Sequence, residues 1–213
     1  MTQSKSPLPS QPTPRLVLAS GSPRRRHMLE ELGFDFDVRP AAVDEAVEPG
    51  EGATTYVLRL AKAKARRVSA NYEDDLVLAA DTVVTVDGEL LGKPTDPGDA
   101  GRMLAMLSGR EHEVLTAIAV RARALELTHV ERTRVRFAHL STAEIAWYVD
   151  TGEPMDKAGA YGIQGLGALF VERIDGNYAS VVGLPLPATY RLLRQAGYPV
   201  LSVTRPGIEP RPV

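Results

Sequence analysis

The chain has 213 residues, 44% hydrophobic and 24% charged, with 25 Lys and Arg against 27 Asp and Glu for a formal charge of −2 at pH 7. That length suits one sizeable domain with a substantial core, and the near-even charge argues against a nucleic-acid polyanion as partner. No cysteine is present, which excludes disulfides, thiolate metal centres and a cysteine nucleophile and agrees with a cytoplasmic home, and no apolar run approaches a membrane span.

Residues 1–14 are polar and Pro-rich, lack the apolar core of a signal peptide, and read as a disordered leader. A single domain over 15–200 and a mobile Pro-rich tail over 201–213 are expected to follow. Residues 15–19 read as a buried strand, leading through Ser20-Gly21-Ser22 into a helix over 23–32. Ser22 suits the N-cap, Pro23 the first helical position and Gly33 the stop. The first turn holds Arg24, Arg25 and Arg26 and no acid, although a helix N-terminus carries about +0.5 of a charge and favours acids. Either the free N–H groups, two serine hydroxyls and guanidinium cluster form an anion site suited to phosphates, or the arginines are solvated on a surface helix.

A second strand near 36–39 precedes an acidic loop with Asp44, Glu45, Glu48 and Glu51. The loop either serves solubility or turns one carboxylate toward the basic site through a divalent cation. Thr54 or Thr55 caps a helix running to about residue 70, in which Val57, Ala61, Lys64 and Val68 share one stripe. Lys64 then either snorkels to solvent or aims its ammonium at bound phosphate.

Residues 76–80 form an apolar run of strand length that ends in Asp81-Thr82, with strand character resuming over 83–86. Ligands in open α/β sheets sit beyond the carboxyl ends of such strands. Asp81 is therefore a crevice carboxylate or a turn-forming Asx residue, and the resumed strand favours the first. Asp87-Gly88 makes a hairpin that brings Lys93 back toward Asp81. Asp96-Pro97 opens a helix that Gly109 closes, and strands over 113–120 and about 128–137 follow, the second with Arg132, Arg134 and Arg136 on an exposed face. Ser141-Thr142-Ala143-Glu144 is a capping box starting a helix through Val149. Four glycines between 159 and 167 make the segment 154–167 a loop that permits close backbone approach, either a plain Gly-rich connector or, as its Asp, Lys, Tyr and Gln favour, a ligand wall. Strands over 169–174 and 178–182 and a helix over 187–196 complete the chain, and the four histidines show no metal-ligand spacing.

Taken together, Ala19-Ser20-Gly21-Ser22-Pro23-Arg24-Arg25, Ala80-Asp81-Thr82, Gly92-Lys93-Pro94 and Asp156-Lys157-Ala158-Gly159-Ala160-Tyr161-Gly162-Ile163-Gln164-Gly165 resemble, in this order, the motifs of the Maf family of nucleoside triphosphate pyrophosphatases, also called septum formation inhibitors. The resemblance covers about residues 15–197. It implies an α/β fold with an elongated mixed β-sheet flanked by helices and two lobes around a central cleft, similar to inosine triphosphate pyrophosphatase (Maf/Ham1-like). It also implies hydrolysis of a nucleoside triphosphate to the monophosphate and pyrophosphate with a divalent metal cation, Mg²⁺ or Mn²⁺, and a homodimer. Carried over residue by residue, Asp81 matches the catalytic proton acceptor. Ser20, Ser22, Arg25, Lys64 and Lys93 match the phosphate pocket, Glu45 and Asp81 the metal carboxylates, and Arg24, Thr82 and Gln164 the positions of substrate choice. Asp81-Thr82 with Ile163-Gln164-Gly165 resembles the branch acting on dTTP and UTP rather than on 7-methyl-GTP.

Elementary chemistry points the same way. Cleaving a phosphoanhydride needs cations against the phosphates, a carboxylate-held metal and a base for water. The amide of Gln164 can pair with both the O4 acceptor and the N3–H donor of uracil or thymine, a pattern that cytosine reverses. Two rivals stand beside this reading: a nucleotide-binding regulator of cell division, and an enzyme that removes damaged purine triphosphates.

Overall fold

A computed structural model describes residues 14–72 and 74–202. The expected leader, save Pro14, and residues 203–213 of the expected tail lie outside the described residues. Seven strands form one sheet: β1 (Leu16–Leu18), β2 (Phe36–Val38), β3 (Leu76–Val86), β4 (Glu89–Leu91), β5 (Glu111–Ala122), β6 (Leu125–Phe137) and β7 (Val171–Asp175). Their order is β2-β1-β3-β5-β6-β7, with β4 pairing β3 off that path. The helices are α1 (Pro23–Glu31), α2 (Ala53–Ser69), α3 (Pro97–Leu107), α4 (Thr142–Asp150), α5 (Tyr178–Val182) and α6 (Leu186–Gln195). No described helix is long and apolar enough to cross a membrane.

The first three strands run parallel, and α1 and α2 pack on opposite faces of them, as a doubly wound β-α-β-α-β unit requires. From β3 onward the pairing is antiparallel. Side chains alternate along β3: Val77, Ala79 and Val83 enter the smaller core under α2, with Val57, Leu60, Ala61 and Ala65. Leu76, Leu78, Ala80, Val84 and Val86 enter the larger core, which takes Met28 and Leu29 from α1, Leu104 and Leu107 from α3, Tyr148 from α4 and Leu193 from α6. A strand covered on both faces must be apolar throughout, which is why 76–80 carries no polar residue.

The position of the site follows from strand lengths. β1 stops at the Leu18–Leu78 pair, and the antiparallel β4 ends at the Leu91–Val84 pair. Between them residues 79–83 of β3 have no strand on that edge, while the other edge is paired with β5, Asp81 opposite Ala117 and Thr82 opposite Thr116. The sheet is thus notched at Asp81.

Several expectations change. The strand does not end at Asp81: β3 is unbroken through Asp81-Thr82, so the carboxylate stands mid-strand at the notch rather than beyond a carboxyl end. The N-cap of α2 is Gly52, without a side-chain bond, and Thr54 lies inside the first turn. The segment from 153 to 170 contains three short 3-10 turns, Glu153–Asp156, Ala158–Ala160 and Leu166–Phe170, so β7 starts at Val171 rather than 169. Residues 178–182 are helical rather than a strand: Asn177 caps the turn by accepting the Ser180 N–H at 3.0 Å, and Gly183 ends it at a φ of 128°. Local capping overrides the strand propensity of Val181-Val182.

Candidate active site

The notch opens into a hollow of about 740 Å³, a volume in the range of small-molecule sites. Its walls come from the β1–α1 turn, the acidic loop, α2, the middle of β3, the segment after β4, and the 156–165 segment. Every site residue named from the sequence lines it: Ser20, Ser22, Arg24, Arg25, Glu45, Lys64, Asp81, Thr82, Lys93 and Gln164.

At its floor Asp81 is only 7% exposed and Lys64 9%. Lys64 reaches Asp81 because Val57, Ala61, Lys64 and Val68 all lie buried on one face of α2, as the spacing predicts. Its ammonium does not snorkel to solvent but meets carboxylates: Nζ donates to Asp81 Oδ1 at 2.6 Å and sits 2.6 Å from Glu45 Oε1. Burial pushes the Asp81 carboxyl above its ordinary range, opposed by the charge and hydrogen bond of Lys64 and the charge of Arg25. Glu45, on the acidic loop, is held through the backbone. Tyr56 donates its hydroxyl to the Glu45 carbonyl at 2.9 Å, and Arg59 donates to the Ala46 carbonyl and grips Glu51 with two nitrogens. Burial, with the charges of Asp81 and Glu45, pushes the Tyr56 hydroxyl up to about 12, so it stays a donor.

The three arginines of α1 part company. Arg26 pairs with Glu30 in solvent. Arg24 donates to Asp156 Oδ2 at 3.1 Å across the mouth of the hollow. Arg25 is buried, with Nε donating to the Gly183 carbonyl, Nη1 to Ser20 Oγ and the Ala80 carbonyl, and Nη2 to Thr82 Oγ1. The Ala80 carbonyl is available to it because the notch leaves that edge of β3 without a strand. Four of the five guanidinium N–H groups thus have protein acceptors, so Arg25 braces the notch and one N–H is left without a protein acceptor among the described residues. Thr82 Oγ1 also shares a hydrogen bond with Thr116 at 2.9 Å.

In contrast, the side chains of Ser22, Lys93 and Gln164 have no partner among the described residues. Ser22 occupies the N-cap of α1 but makes no side-chain cap bond, and no acid stands in the first turn. The N–H groups and dipole at this helix start therefore face the hollow uncompensated. No group of three or more His, Asp or Glu side chains among the described residues could hold a metal ion alone. The carboxylates of Glu45 and Asp81 converge on a single cationic nitrogen.

Sequence reasoning missed Tyr56 and Arg59, which hold the acidic loop, and Glu153, whose carboxylate accepts hydrogen bonds from Tyr148 and from the N–H groups of Leu166 and Gly167. The pairing of Glu51 with Arg59 carries no sequence signal beyond opposite charge, since the two belong to different elements.

The mixed sheet with helices on both faces is an α/β class of fold shared with the Ham1 protein of Staphylococcus aureus. That structure superposes with a TM-score of 0.51 at 14% identity, covering 85% of this chain and 99% of that one. Within the class, the family model for Maf-like proteins matches residues 15–196, and the chain belongs to that family. Its relatives include the dTTP/UTP pyrophosphatase of Anaeromyxobacter sp. (strain Fw109-5), 59% identical over 191 residues, covering 87% of this chain and 91% of the relative. The dTTP/UTP pyrophosphatase of Symbiobacterium thermophilum is 52% identical, covering 88% of this chain and 97% of the relative.

Proposed function

We propose that the chain is a nucleoside triphosphate pyrophosphatase that hydrolyses dTTP and UTP to the monophosphate and pyrophosphate. The observation that carries this is one hollow in which buried Asp81 stands beside Lys64 while Ser22, Lys93 and Gln164 line the walls without protein partners. The two relatives described above carry that activity in their names.

The triphosphate lies across the α1 N-terminus, with Ser20, Ser22, the remaining N–H of Arg25, and Lys93 meeting its oxygens. Asp81, mid-strand and fixed by Lys64, orients a water and takes its proton as the water oxygen bonds to the α-phosphorus. The bond from that phosphorus to the α–β bridging oxygen breaks, and pyrophosphate leaves with the electron pair. Lys64 keeps the base in place and offsets charge as the phosphates bind. Glu45 and Asp81 would hold Mg²⁺ or Mn²⁺: their carboxylates converge on the Lys64 ammonium, and two carboxylates completed by substrate phosphates suit such an ion. The ion supplies charge neutralisation on the phosphate oxygens. Arg24 and Thr82 flank the base side, and the Gln164 amide pairs with O4 and N3–H of the pyrimidine.

A homodimer belongs to the same proposal, and the exposed apolar surface of Trp147 and Leu169, 47% and 71% accessible, supports it. Action in the cytoplasm, where nucleotide pools lie, is proposed with it.

Pyrophosphate release from dTTP, UTP, CTP and 7-methyl-GTP with Mg²⁺ or Mn²⁺ tests the reading. We expect dTTP and UTP to lead, chelation to abolish release and added metal to restore it, and Asp81→Asn to lose about 10²-fold or more while keeping its fold. Purine nucleotides leading the panel would overturn the substrate assignment. Tight nucleotide binding without release would favour the regulator.

A further inference from the structure

The segment that carries Gln164 is folded around a single carboxylate. Glu153 Oε2 accepts the Leu166 N–H at 2.9 Å, and Oε1 accepts the Gly167 N–H at 3.2 Å and the Tyr148 hydroxyl at 2.8 Å. The same tyrosine oxygen accepts the Gly162 N–H at 3.0 Å. Gln164 therefore sits on a turn whose two limbs, residue 162 before it and residues 166 and 167 after it, hang from one Tyr148–Glu153 pair. The glycines follow from this closeness: a Cβ on Gly165 would lie 2.4 Å from a Glu153 carboxylate oxygen, and one on Gly167 would lie 2.7 Å from the Tyr148 hydroxyl.

The pair is itself rigid. Tyr148 is fully buried and meets Phe170 edge to face, with ring centroids 5.1 Å apart. Desolvation pulls the Glu153 carboxyl upward, but the hydrogen bonds from Leu166, Tyr148 and Gly167 outweigh it and hold the group below its ordinary range. An ionised carboxylate accepts from all three donors at once. The clamp also reaches the opposite wall: Lys157 Nζ donates to the Glu153 carbonyl at 2.7 Å and to Asp156 Oδ1 at 2.6 Å, and Asp156 Oδ2 receives Arg24.

We infer that Tyr148 and Glu153 are positioning residues for base selection, which set where the Gln164 amide stands in the hollow without touching the substrate. The inference rests on the reading of the hollow as a pyrimidine triphosphate site. A fixed turn sets the reach of the Gln164 side chain, so that its amide meets O4 and N3–H of uracil together. Once the turn loosens, that reach is lost and UTP loses its advantage over CTP.

The test is the ratio of kcat/KM for UTP to that for CTP, measured on the full chain for wild type, Glu153→Gln and Tyr148→Phe. Glu153→Gln places an amide N–H₂ against backbone N–H donors, and Tyr148→Phe removes the oxygen shared by Glu153 and Gly162. Each variant is expected to lower the ratio about tenfold or more, through a raised KM for UTP with kcat changed little, because the phosphate groups and Asp81 are untouched. An equal fall for both nucleotides at an unchanged ratio is the signature of mere structural damage and overturns the inference, as does a wild-type ratio in both folded variants. A wild type without preference for UTP over CTP overturns the pyrimidine-site reading along with it, and so distinguishes the two failures.

Discussion

At the scale of the residue, Asp81 is governed by two opposed effects. Placement mid-strand under α2 removes it from water and raises its carboxyl, while Lys64 at 2.6 Å pulls it back. In the proposed reaction Asp81 acts in its ionised form, so kcat/KM is expected to fall as pH drops through a limb lying above the ordinary carboxylate range. Lys64→Met removes the lowering influence and leaves burial, so the limb moves to higher pH. Profiles of kcat/KM against pH for both proteins check this, and a limb that stays put or moves down would show that Lys64 does not govern the base. The sequence showed that Lys64 lies on the apolar stripe, since spacing alone determines that. Its partners were hidden, because Glu45 and Asp81 come from a loop and a strand whose approach depends on packing.

At the scale of the element, the short α5 shows how far local signals can mislead. Tyr178-Ala179-Ser180-Val181-Val182 has a strand-like composition, yet Asn177 caps it into one helical turn. That turn is anchored to the sheet, since Thr116 Oγ1 donates to the Ser180 carbonyl at 2.8 Å and Thr133 Oγ1 shares a bond with Ser180 Oγ at 2.8 Å. Just beyond it the Gly183 carbonyl receives Arg25. Asn177→Ala removes the cap and is expected to cost about 1 kcal/mol of stability, read by urea denaturation. Because Gly183 follows directly, the same variant should loosen the brace on Arg25. By contrast, α1, the capping box of α4 and the Asp87-Gly88 hairpin stand where their residues predict, with Asp87 and Gly88 both at positive φ as a tight two-residue turn needs. In these the signal and the structure share a few adjacent residues.

At the scale of the whole molecule, a histidine ring is buried against the larger core. His112 is 2% exposed, touches Phe137 and Tyr161 edge to face, and shares one hydrogen bond with the Tyr161 hydroxyl, while its Nδ1 has no partner among the described residues. Burial lowers its pKa from 6.5 to about 4, so the folded protein keeps it neutral. Above pH 6.5 both states leave it neutral. As pH falls below that value the unfolded chain takes up the proton first, so stability is lost from about pH 6.5 down to about 4. The loss from this group amounts to about 3 kcal/mol by pH 4. His112→Gln removes that share of the acid limb, which denaturation curves at pH 7, 5.5 and 4.5 for both proteins would display as a shallower slope in the variant.

The sequence by itself determined the helix starts and turns, the buried run before Asp81, the stripe that takes Lys64 inward, and the family motifs, because each depends on residues near one another in the chain or on an order of short signals. Only the tertiary structure decided that Asp81 stands inside an unbroken strand at a notch, that Arg25 serves the protein with four of its five N–H groups, and that one carboxylate at 153 gathers the turn bearing Gln164. The reason is physical. These features depend on where β1 ends relative to β4 and on which donors and acceptors burial forces together across scores of residues, and no local spacing encodes such distances.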